Sequence, residues 1–142
     1  MNIQEAASES GLSPDTIRFY ERKGVLPRPP RQPNGYRNYT ADHVRTLRLA
    51  KGLRHLAVPL ESVAPMIAVA HSGTCGEVRG DLTRALEETL AETERRLSDL
   101  IHVRDHLTQI LAGLTSMQPA DTAVPGMAPC ECIRLVTGAA DE

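Results

Sequence analysis

The chain has 142 residues, of which 41% are apolar and 24% are charged, a composition typical of one compact globular domain with short extensions. No apolar run approaches the roughly 20 residues that span a bilayer, and the first ten residues have neither the basic nor the apolar region of a signal peptide. We therefore expect a cytoplasmic protein without a membrane partner, whose three cysteines are thiols or metal ligands rather than disulfides.

The net charge of −2 is unevenly distributed along the chain. Residues 1–57 contain ten basic and five acidic side chains, whereas residues 58–142 contain six basic and thirteen acidic ones. A basic first half suits a polyanion, and an acidic second half would be repelled by one. The two halves are therefore expected to have different partners.

Two short helices joined by a turn are predicted at the amino terminus. Asn2 is a good N-cap for the first helix, and Gly11 ends it. Ser13 then caps a second helix with Pro14 at its first position, and Gly24 ends that helix. Two short helices joined by a glycine-containing turn are typical of a helix-turn-helix.

Residues 25–39 predict a small two-stranded wing. The segment contains four prolines and the pair Asn34-Gly35, which favours a type I′ hairpin turn because both residues tolerate positive φ. Tyr36 and Tyr39 beyond the turn suit a strand. Three arginines of the segment have no obvious acidic partner nearby in the sequence: Arg28, Arg31 and Arg37.

Two helices of ordinary length are predicted after the wing. Thr40 caps the first, over about 41–56. Pro59 opens the second, over about 59–70, and Pro65 is expected to kink or shorten it because proline lacks the N–H that a helix interior needs.

A long helix is predicted from residue 74 to about 112. Thr74 and Glu77 form a capping box at its start, and Gly113 is the expected stop. A helix of about 55 Å with one apolar stripe needs a partner. No second helix of matching length is predicted in the chain, so we expect a homodimer through residues 77–114. Alternating steps of four and three, as in a coiled-coil seam, relate Leu86, Leu90, Thr93, Leu97, Leu100, Arg104, Leu107, Leu111 and Leu114.

These elements predict an all-α fold with a small β wing. Residues 1–70 would form a winged helix-turn-helix DNA-binding domain with connecting helices, and residues 74–114 a dimerisation helix. Residues 115–142 would form a loop-rich effector tail. One short apolar turn is expected in that tail, at Ile133, Leu135 and Val136.

A helix-turn-helix with a basic wing is typical of a DNA-binding protein. We expect the second helix to enter the major groove and the wing to hold the flanking backbone. The candidate contacts are Thr16, Arg18 and Tyr20 of the helix and Tyr36 and Arg37 of the wing. The alternative is that Ile17, Phe19 and Tyr20 are core residues and the arginines form a solvated face. The caps, the wing and the local charge together favour DNA binding.

The strings TIRFYERKGVL (residues 16–26) and NGYRNYT (residues 34–40) resemble the amino-terminal DNA-binding domain of the MerR family of transcription regulators. The resemblance extends through the long helix to about residue 114. It implies a homodimer joined by an antiparallel coiled coil and bound to a promoter with an overlong spacer. It also implies that an inducer makes the dimer distort the DNA so that RNA polymerase can use both promoter elements. The family pattern maps DNA contacts onto Arg18, Tyr20, Tyr36 and Arg37.

The cysteines are Cys75, in the first turn of the long helix, and the pair Cys130 and Cys132 in the tail. A helix amino terminus favours a thiolate, the form that binds metal, but a metal ligand and a small buried apolar residue are equally plausible for Cys75 alone. A Cys-x-Cys pair in a cytosolic tail favours metal or redox chemistry. Two thiolates can hold one soft ion, and a third would give a trigonal site.

The resemblance adds an arrangement for these thiols. In metal-responsive members of the MerR family, one cysteine opens the dimerisation helix and others lie in a loop after it, which implies a site of Cys75 from one subunit with Cys130 and Cys132 from the other. A cysteine at the first position implies a divalent ion, and all-sulfur ligation favours mercury, cadmium or lead. Zinc would need a fourth ligand, for which His71 and Glu131 are candidates. The Cys-x-Cys spacing and its distance from the long helix depart from the family pattern.

Other interpretations remain open. His71 is also interpretable as a solvated residue between helices, and His102 and His106 as a solvated helix face. A second hypothesis is a thiol redox-sensing transcription regulator that uses Cys130 and Cys132. A third is a thiol oxidoreductase or metal carrier, which is disfavoured because no βαβ pattern is present and a carrier needs no basic wing. A small-molecule sensor would need a larger domain after the coil. Enzyme activity is not expected, because no nucleophile–base pair, phosphate-binding glycine loop or carboxylate dyad is recognisable.

Overall fold

The structure, a computed structural model, describes residues 1–118 and 130–138. Met1–Ala91 form one compact unit, and the described residues from Glu92 onwards belong to a second. None of the helices in the described ranges is long and apolar enough to cross a membrane. These helices are α1 (Ile3–Ser10), α2 (Pro14–Arg22), α3 (Ala41–His55), α4 (Leu60–Ser72), α5 (Cys75–Ser116) and α6 (Glu131–Gly138).

The predicted caps begin both helices of the helix-turn-helix. Asn2 Oδ1 accepts the Glu5 N–H at 3.0 Å, and the Glu5 carboxylate accepts the Asn2 N–H at 2.7 Å, which completes a capping box. Gly11 ends α1 with φ at 67°, a conformation that glycine adopts without strain. Ser13 Oγ then accepts the Thr16 N–H at 3.1 Å. The helix-turn-helix predicted from the sequence is therefore confirmed.

The wing contains one antiparallel bridge, between Arg31 and Arg37, rather than two full strands, because its prolines have no N–H to donate to a ladder. The turn runs from Gln32 to Gly35, with the Gly35 N–H donating to the Gln32 carbonyl at 2.8 Å. Gly35 has positive φ, but Asn34 does not. The predicted type I′ turn, which needs both, is therefore wrong. The proline before Asn34 favours an ordinary turn instead.

The hydrophobic core of the first unit lies between α1, α2, α3, α4 and the base of the wing. Its aliphatic side chains are supplemented by Tyr20 and Tyr39, which agrees with the clustering of aromatic residues in the first forty positions. The largest side chains that are almost completely buried are Tyr39, Ile17, Leu26, Leu47, Val25, Val58 and Val63.

Two basic residues of α3 stabilise the carboxyl end of α1. Arg48 Nη2 donates to the Glu9 carbonyl at 2.7 Å, and Lys51 Nζ donates to the Gly11 carbonyl at 2.9 Å. These carbonyls carry the negative end of the helix dipole. Part of the positive charge of the first half is therefore used to hold α3 against α1.

Pro65 does not shorten α4, which was one of the two effects expected from the sequence. The helix begins directly after Pro59 and continues through Pro65 to Ser72. The proline removes one hydrogen-bond donor from the helix interior. Buried side chains on both sides of it, Val63 and Ile67, hold the segment against the core and offset that loss.

Gly113 does not end α5, because the helix continues to Ser116. A Cβ atom placed on Gly113 would lie 3.0 Å from Leu135 Cδ1, so the glycine makes room for a packed side chain of α6. No residue of α5 is buried. The exposed apolar side chains include most of the predicted coiled-coil seam: Leu86, Leu90, Leu97, Leu100, Leu107 and Leu111.

The predicted short apolar turn in the tail is a two-turn helix, α6. Ile133 and Leu135 on α6 are half-buried, whereas Val136 is exposed. The remainder of the predicted loop-rich tail, residues 119–129 and 139–142, lies outside the described residues.

Candidate DNA-binding surface and thiol centre

A cleft of about 470 Å³ lies between α2 and the wing. Arg18 of α2 and Tyr36 and Arg37 of the wing line it, together with the polar side chains of Asn2 and Gln32. Tyr36 does not belong to the core: its side chain is 73% exposed, which is unusual for an aromatic residue. The structure thus brings three of the five predicted DNA contacts to one surface, which we call the basic cleft.

The other side chains of α2 show how this surface is built. Arg18 Nη1 lies 2.8 Å from Asp15 Oδ1, and both side chains are exposed. An exposed ion pair contributes about 0–1 kcal/mol, so Arg18 can exchange Asp15 for a phosphate at little cost. The Thr16 hydroxyl lies 2.8 Å from Ser13 Oγ, in the first turn of α2.

Tyr20 does not lie on this surface. It is only 6% exposed and belongs to the core, as does Ile17, which is fully buried. Phe19 is half-buried, with its ring centroid 6.0 Å from that of Tyr20. The alternative interpretation of Ile17 and Tyr20 as core residues is therefore confirmed, and Tyr20 supports the cleft from behind.

Glu21 fixes the position of Arg37, a relationship that the sequence analysis missed. The Arg37 Nε atom lies 2.9 Å from Glu21 Oε2, and the Glu21 side chain is only 7% exposed. The Tyr39 hydroxyl donates to the other Glu21 oxygen at 2.6 Å. Burial and this hydrogen bond raise the pKa of Tyr39. Arg37 therefore has an acidic partner after all, contributed by α2 rather than by the wing.

A second, smaller cleft of about 300 Å³ lies beside the first. Arg22, Arg28 and Arg31 line it together with Arg37. Arg31 is partly held by a hydrogen bond of 3.1 Å from its Nη1 to the Gly35 carbonyl. The positive charge of the wing is therefore continuous with that of α2, an arrangement that attracts a phosphate backbone. Arg22 had no distinguishing signal in the sequence.

Cys75 is the first residue of α5, at a tightly built helix junction. The Glu77 carboxylate accepts the Thr74 N–H at 2.6 Å, and Thr74 Oγ1 accepts the Glu77 N–H at 3.3 Å. The hydrogen bonds from Thr74 hold the pKa of Glu77 below its ordinary value. The predicted capping box is therefore confirmed. It leaves the Cys75 side chain exposed at the amino end of the helix.

His71, the candidate fourth ligand, is bonded to α3. Thr46 Oγ1 donates to the Asp42 carbonyl at 2.9 Å. It also lies 2.9 Å from His71 Nε2, and with its proton directed to Asp42 it accepts from the imidazole tautomer that is protonated at Nε2. The imidazole is exposed overall, but the interpretation of His71 as a merely solvated residue is incomplete.

Cys130 and Cys132 form a hydrogen-bonded thiol pair at the start of α6. Backbone N–H groups of Ile133 and Cys132 point at the Cys130 sulfur and lower the pKa of its thiol. The hydrogen bond to Cys130 raises the pKa of Cys132. Cys130 is therefore the thiol of the pair that loses its proton more readily. Glu131 between them pairs with Arg134 at 3.1 Å.

The described residues of one chain do not assemble a complete metal site. No group of three or more His, Cys, Asp or Glu side chains within 1–118 and 130–138 is placed to hold an ion. The rings of His102 and His106 lie with their centroids 4.3 Å apart and their planes tilted by 47°.

A helix-turn-helix with a basic wing, followed by a long helix with an exposed leucine seam, defines a DNA-binding regulator. The family model described as "MerR HTH family regulatory protein" matches residues 1–68. The HTH-type transcriptional regulator CueR of Salmonella typhimurium is 32% identical over 124 residues, which cover 87% of this chain and 88% of the relative. The chain therefore belongs to the MerR family of transcription regulators, as the sequence motifs predicted.

Two solved structures share the fold. The regulator PbrR691 from Ralstonia metallidurans CH34, solved in complex with lead(II), has a TM-score of 0.70 at 21% identity, with 96% of this chain and 98% of that chain covered. HiNmlR, a MerR family regulator lacking the sensor domain and solved on promoter DNA, has a TM-score of 0.54 at 24% identity, with 79% and 83% covered.

Proposed function

We propose that this MerR family member is a homodimeric, metal-responsive regulator. It binds promoter DNA, and it activates transcription by RNA polymerase when a thiophilic divalent ion (mercury, cadmium, lead or zinc) binds to its cysteine thiolates. The observation that carries the metal assignment is the hydrogen-bonded pair Cys130 and Cys132 at the start of α6.

The basic cleft supports the DNA-binding part of the proposal. Arg18, Tyr36 and Arg37 would contact phosphates, with Thr16 at the start of α2 directed to a phosphate or a base edge. Tyr20 would act indirectly, by packing under α2. The structural relative HiNmlR was solved bound to promoter DNA, which supports DNA as the partner of this surface.

The exposed seam of α5 supports the dimer. Leucines such as Leu97 and Leu100 are more than half exposed, and an apolar stripe of this length on a soluble protein marks an interface. An antiparallel pairing of residues 77–114 would bring the start of one α5 towards the far end of the other.

The thiol pair supports a site shared between subunits. Cys130 and Cys132 supply two adjacent sulfurs, and Cys75 of the partner subunit would supply the third. Three thiolates suit soft ions, and the relative PbrR691 was solved with lead(II). His71 and Glu131 are less suited to complete a zinc site, because Thr46 and Arg134 already bind them.

The same pair supports a second candidate, a thiol redox-sensing regulator. Two neighbouring thiols joined by a hydrogen bond are also placed to form a disulfide when an oxidant removes two electrons and two protons. In that case Cys75 would have no role in the response.

Anaerobic metal titration of the reduced full-length dimer separates these functions. Zinc, cadmium, mercury, lead and monovalent copper would each compete against a chelator. We expect the wild-type dimer to bind a divalent ion tightly, and we expect Cys75→Ser, Cys130→Ser and Cys132→Ser each to lose this binding. The affinity of each variant for an operator, selected from random DNA duplexes with the wild-type protein, should be unchanged. His71→Gln and Glu131→Gln test the two candidate fourth ligands.

The other outcomes are equally informative. A preference for monovalent copper would overturn the assignment to a divalent ion. Wild-type affinity in Cys75→Ser would remove the shared site. No tight binding, together with a reversible disulfide between Cys130 and Cys132, would establish the redox-sensing alternative.

A further inference from the structure

The junction between α4 and α5 is short and tightly hydrogen-bonded, so the position of Cys75 is coupled to that of α4. Only Gly73 and Thr74 separate the two helices. The Gly73 N–H donates to the Val69 carbonyl at 2.7 Å, and a Cβ atom on Gly73 would lie 2.8 Å from the same oxygen. The Thr74–Glu77 capping box fixes the other side of the junction. A displacement of Cys75 therefore moves the last turn of α4.

The last turn of α4 is tied to α3 by one polar contact, the hydrogen bond from His71 to Thr46. Thr46 is only 5% exposed, and its hydroxyl is oriented by the Asp42 carbonyl. The His71 ring is exposed, so water can replace it as the donor. The contact therefore has two accessible states, made and broken, at little difference in free energy.

The same face of α3 leads to the wing. His43 lies one turn before Thr46, and its ring meets that of Tyr39 edge-on at 6.0 Å. Tyr39 donates to Glu21, which holds Arg37 in the basic cleft. A shift of α3 about the His71–Thr46 contact would thus reposition a side chain on the proposed DNA surface.

We propose that His71 is a positioning residue for induction: its hydrogen bond to Thr46 couples the metal state of Cys75 to the orientation of α3 and the wing. This inference rests on the proposed function, because it takes Cys75 to be a ligand. His71 acts through Thr46 and needs no bond to the metal. Its Nε2 atom is already engaged.

The coupling is measurable because it is reciprocal: if the ion changes operator affinity, the operator changes ion affinity by the same factor. The experiment titrates cadmium(II) into the reduced full-length dimer, free and bound to an operator selected from random duplexes by the wild-type protein. The ratio of the two cadmium affinities is the coupling factor. His71→Ala and Thr46→Val remove the contact. His71→Gln and Thr46→Ser keep a donor and a hydroxyl in place.

We expect His71→Ala and Thr46→Val to bring the coupling factor closer to one by roughly 3- to 30-fold. Cadmium affinity of the free protein and operator affinity of the metal-free protein should stay within about twofold of wild type. His71→Gln and Thr46→Ser should restore the coupling, which a merely structural role would not require. His55→Ala, an exposed histidine in the last turn of α3, is the matched control.

Each failure has a distinct signature. Wild-type coupling in His71→Ala, an exposed position where unfolding is not expected, would overturn the inference and leave the proposed function intact. Weaker cadmium binding by free His71→Ala would make His71 a ligand instead. The proposed function itself would be overturned by either of two results: no coupling in the wild-type dimer, or a cadmium affinity of Cys75→Ser equal to that of wild type.

Discussion

The cationic side chains of the first unit have different hydrogen-bond and ion-pair partners, and these partners decide which side chains are available to contact DNA. Arg48 and Lys51 are held by backbone carbonyls of α1 and its cap. Arg37 is held by the buried carboxylate of Glu21. Arg18 pairs with the exposed Asp15. Net charge alone therefore overstates the charge available to a phosphate backbone.

Arg18→Ala should weaken operator binding and reduce its salt dependence. The slope of log affinity against log salt is negative, and each lost phosphate contact reduces its magnitude by about 0.9. Arg84→Ala on α5 removes an arginine from a similar i, i+3 ion pair, with Asp81, and should leave the slope unchanged. The slopes are measured by fluorescence anisotropy over a series of salt concentrations. An unchanged slope in Arg18→Ala would remove this residue from the contact surface.

His43 gives the DNA-binding unit a pH-dependent stability. Burial holds the pKa of His43 below its ordinary value of 6.5, so the unfolded chain binds a proton more readily than the folded one. The resulting stabilisation is complete above pH 6.5 and is lost as the pH falls from there through the lower folded-state pKa. Urea unfolding midpoints should fall less steeply over this window in His43→Gln than in wild type. Equal steepness would place the origin of the pH effect elsewhere, and His55→Gln serves as the exposed control.

At the scale of helices, two glycines of α5 test whether α6 is docked against it. Gly80 faces open space, whereas a Cβ atom at Gly113 would press on Leu135. Gly80→Ala should stabilise the helix by about 1 kcal/mol, the ordinary gain over glycine. Gly113→Ala should gain less, because Leu135 must move. It should also weaken metal binding by displacing α6, which follows Cys130 and contains Cys132.

Thermal unfolding and metal titration of the two glycine variants measure these effects together. Equal stabilisation and equal metal affinity in both would show that α6 does not depend on the space at Gly113. Leu135→Ala in the Gly113→Ala background removes the crowding, and it should make the two substitutions non-additive.

Local signals allowed the elements of this fold to be predicted, and non-local ones explain the errors. Caps such as Asn2, Ser13 and Thr74 act on N–H groups within three residues, so the sequence contains the whole interaction. Gly113 was predicted to end the helix because glycine is common at helix ends. Its actual role, making room for Leu135, depends on a residue far along the chain and has no local signal. Glu21 was missed for the same reason, since its partners Arg37 and Tyr39 lie on another element. The thiols were recognisable by type and spacing, but the His71–Thr46 contact has no sequence signature.

At the scale of the whole molecule, the exposed seam of α5 predicts that the regulator works only as a dimer. Leu97→Asp should convert it to a monomer and abolish operator binding, because two half-sites must be read together. Gln109→Asp introduces the same charge at an exposed position off the seam and should remain dimeric. Sedimentation equilibrium gives the mass of each variant. A dimeric Leu97→Asp protein would move the interface away from the seam.

Mixed dimers test whether the metal site is shared between subunits. One partner carries Cys75→Ser, and the other carries Cys130→Ser with Cys132→Ser. In a two-fold symmetric dimer with shared sites, each mixed dimer has one site with all three sulfurs, formed by Cys75 of the second protein and the thiol pair of the first. Refolding the two inactive proteins together should therefore restore tight cadmium binding at one site per mixed dimer. If all three thiolates came from one chain, no mixed dimer would contain a complete site, and the mixture would bind no better than its parents.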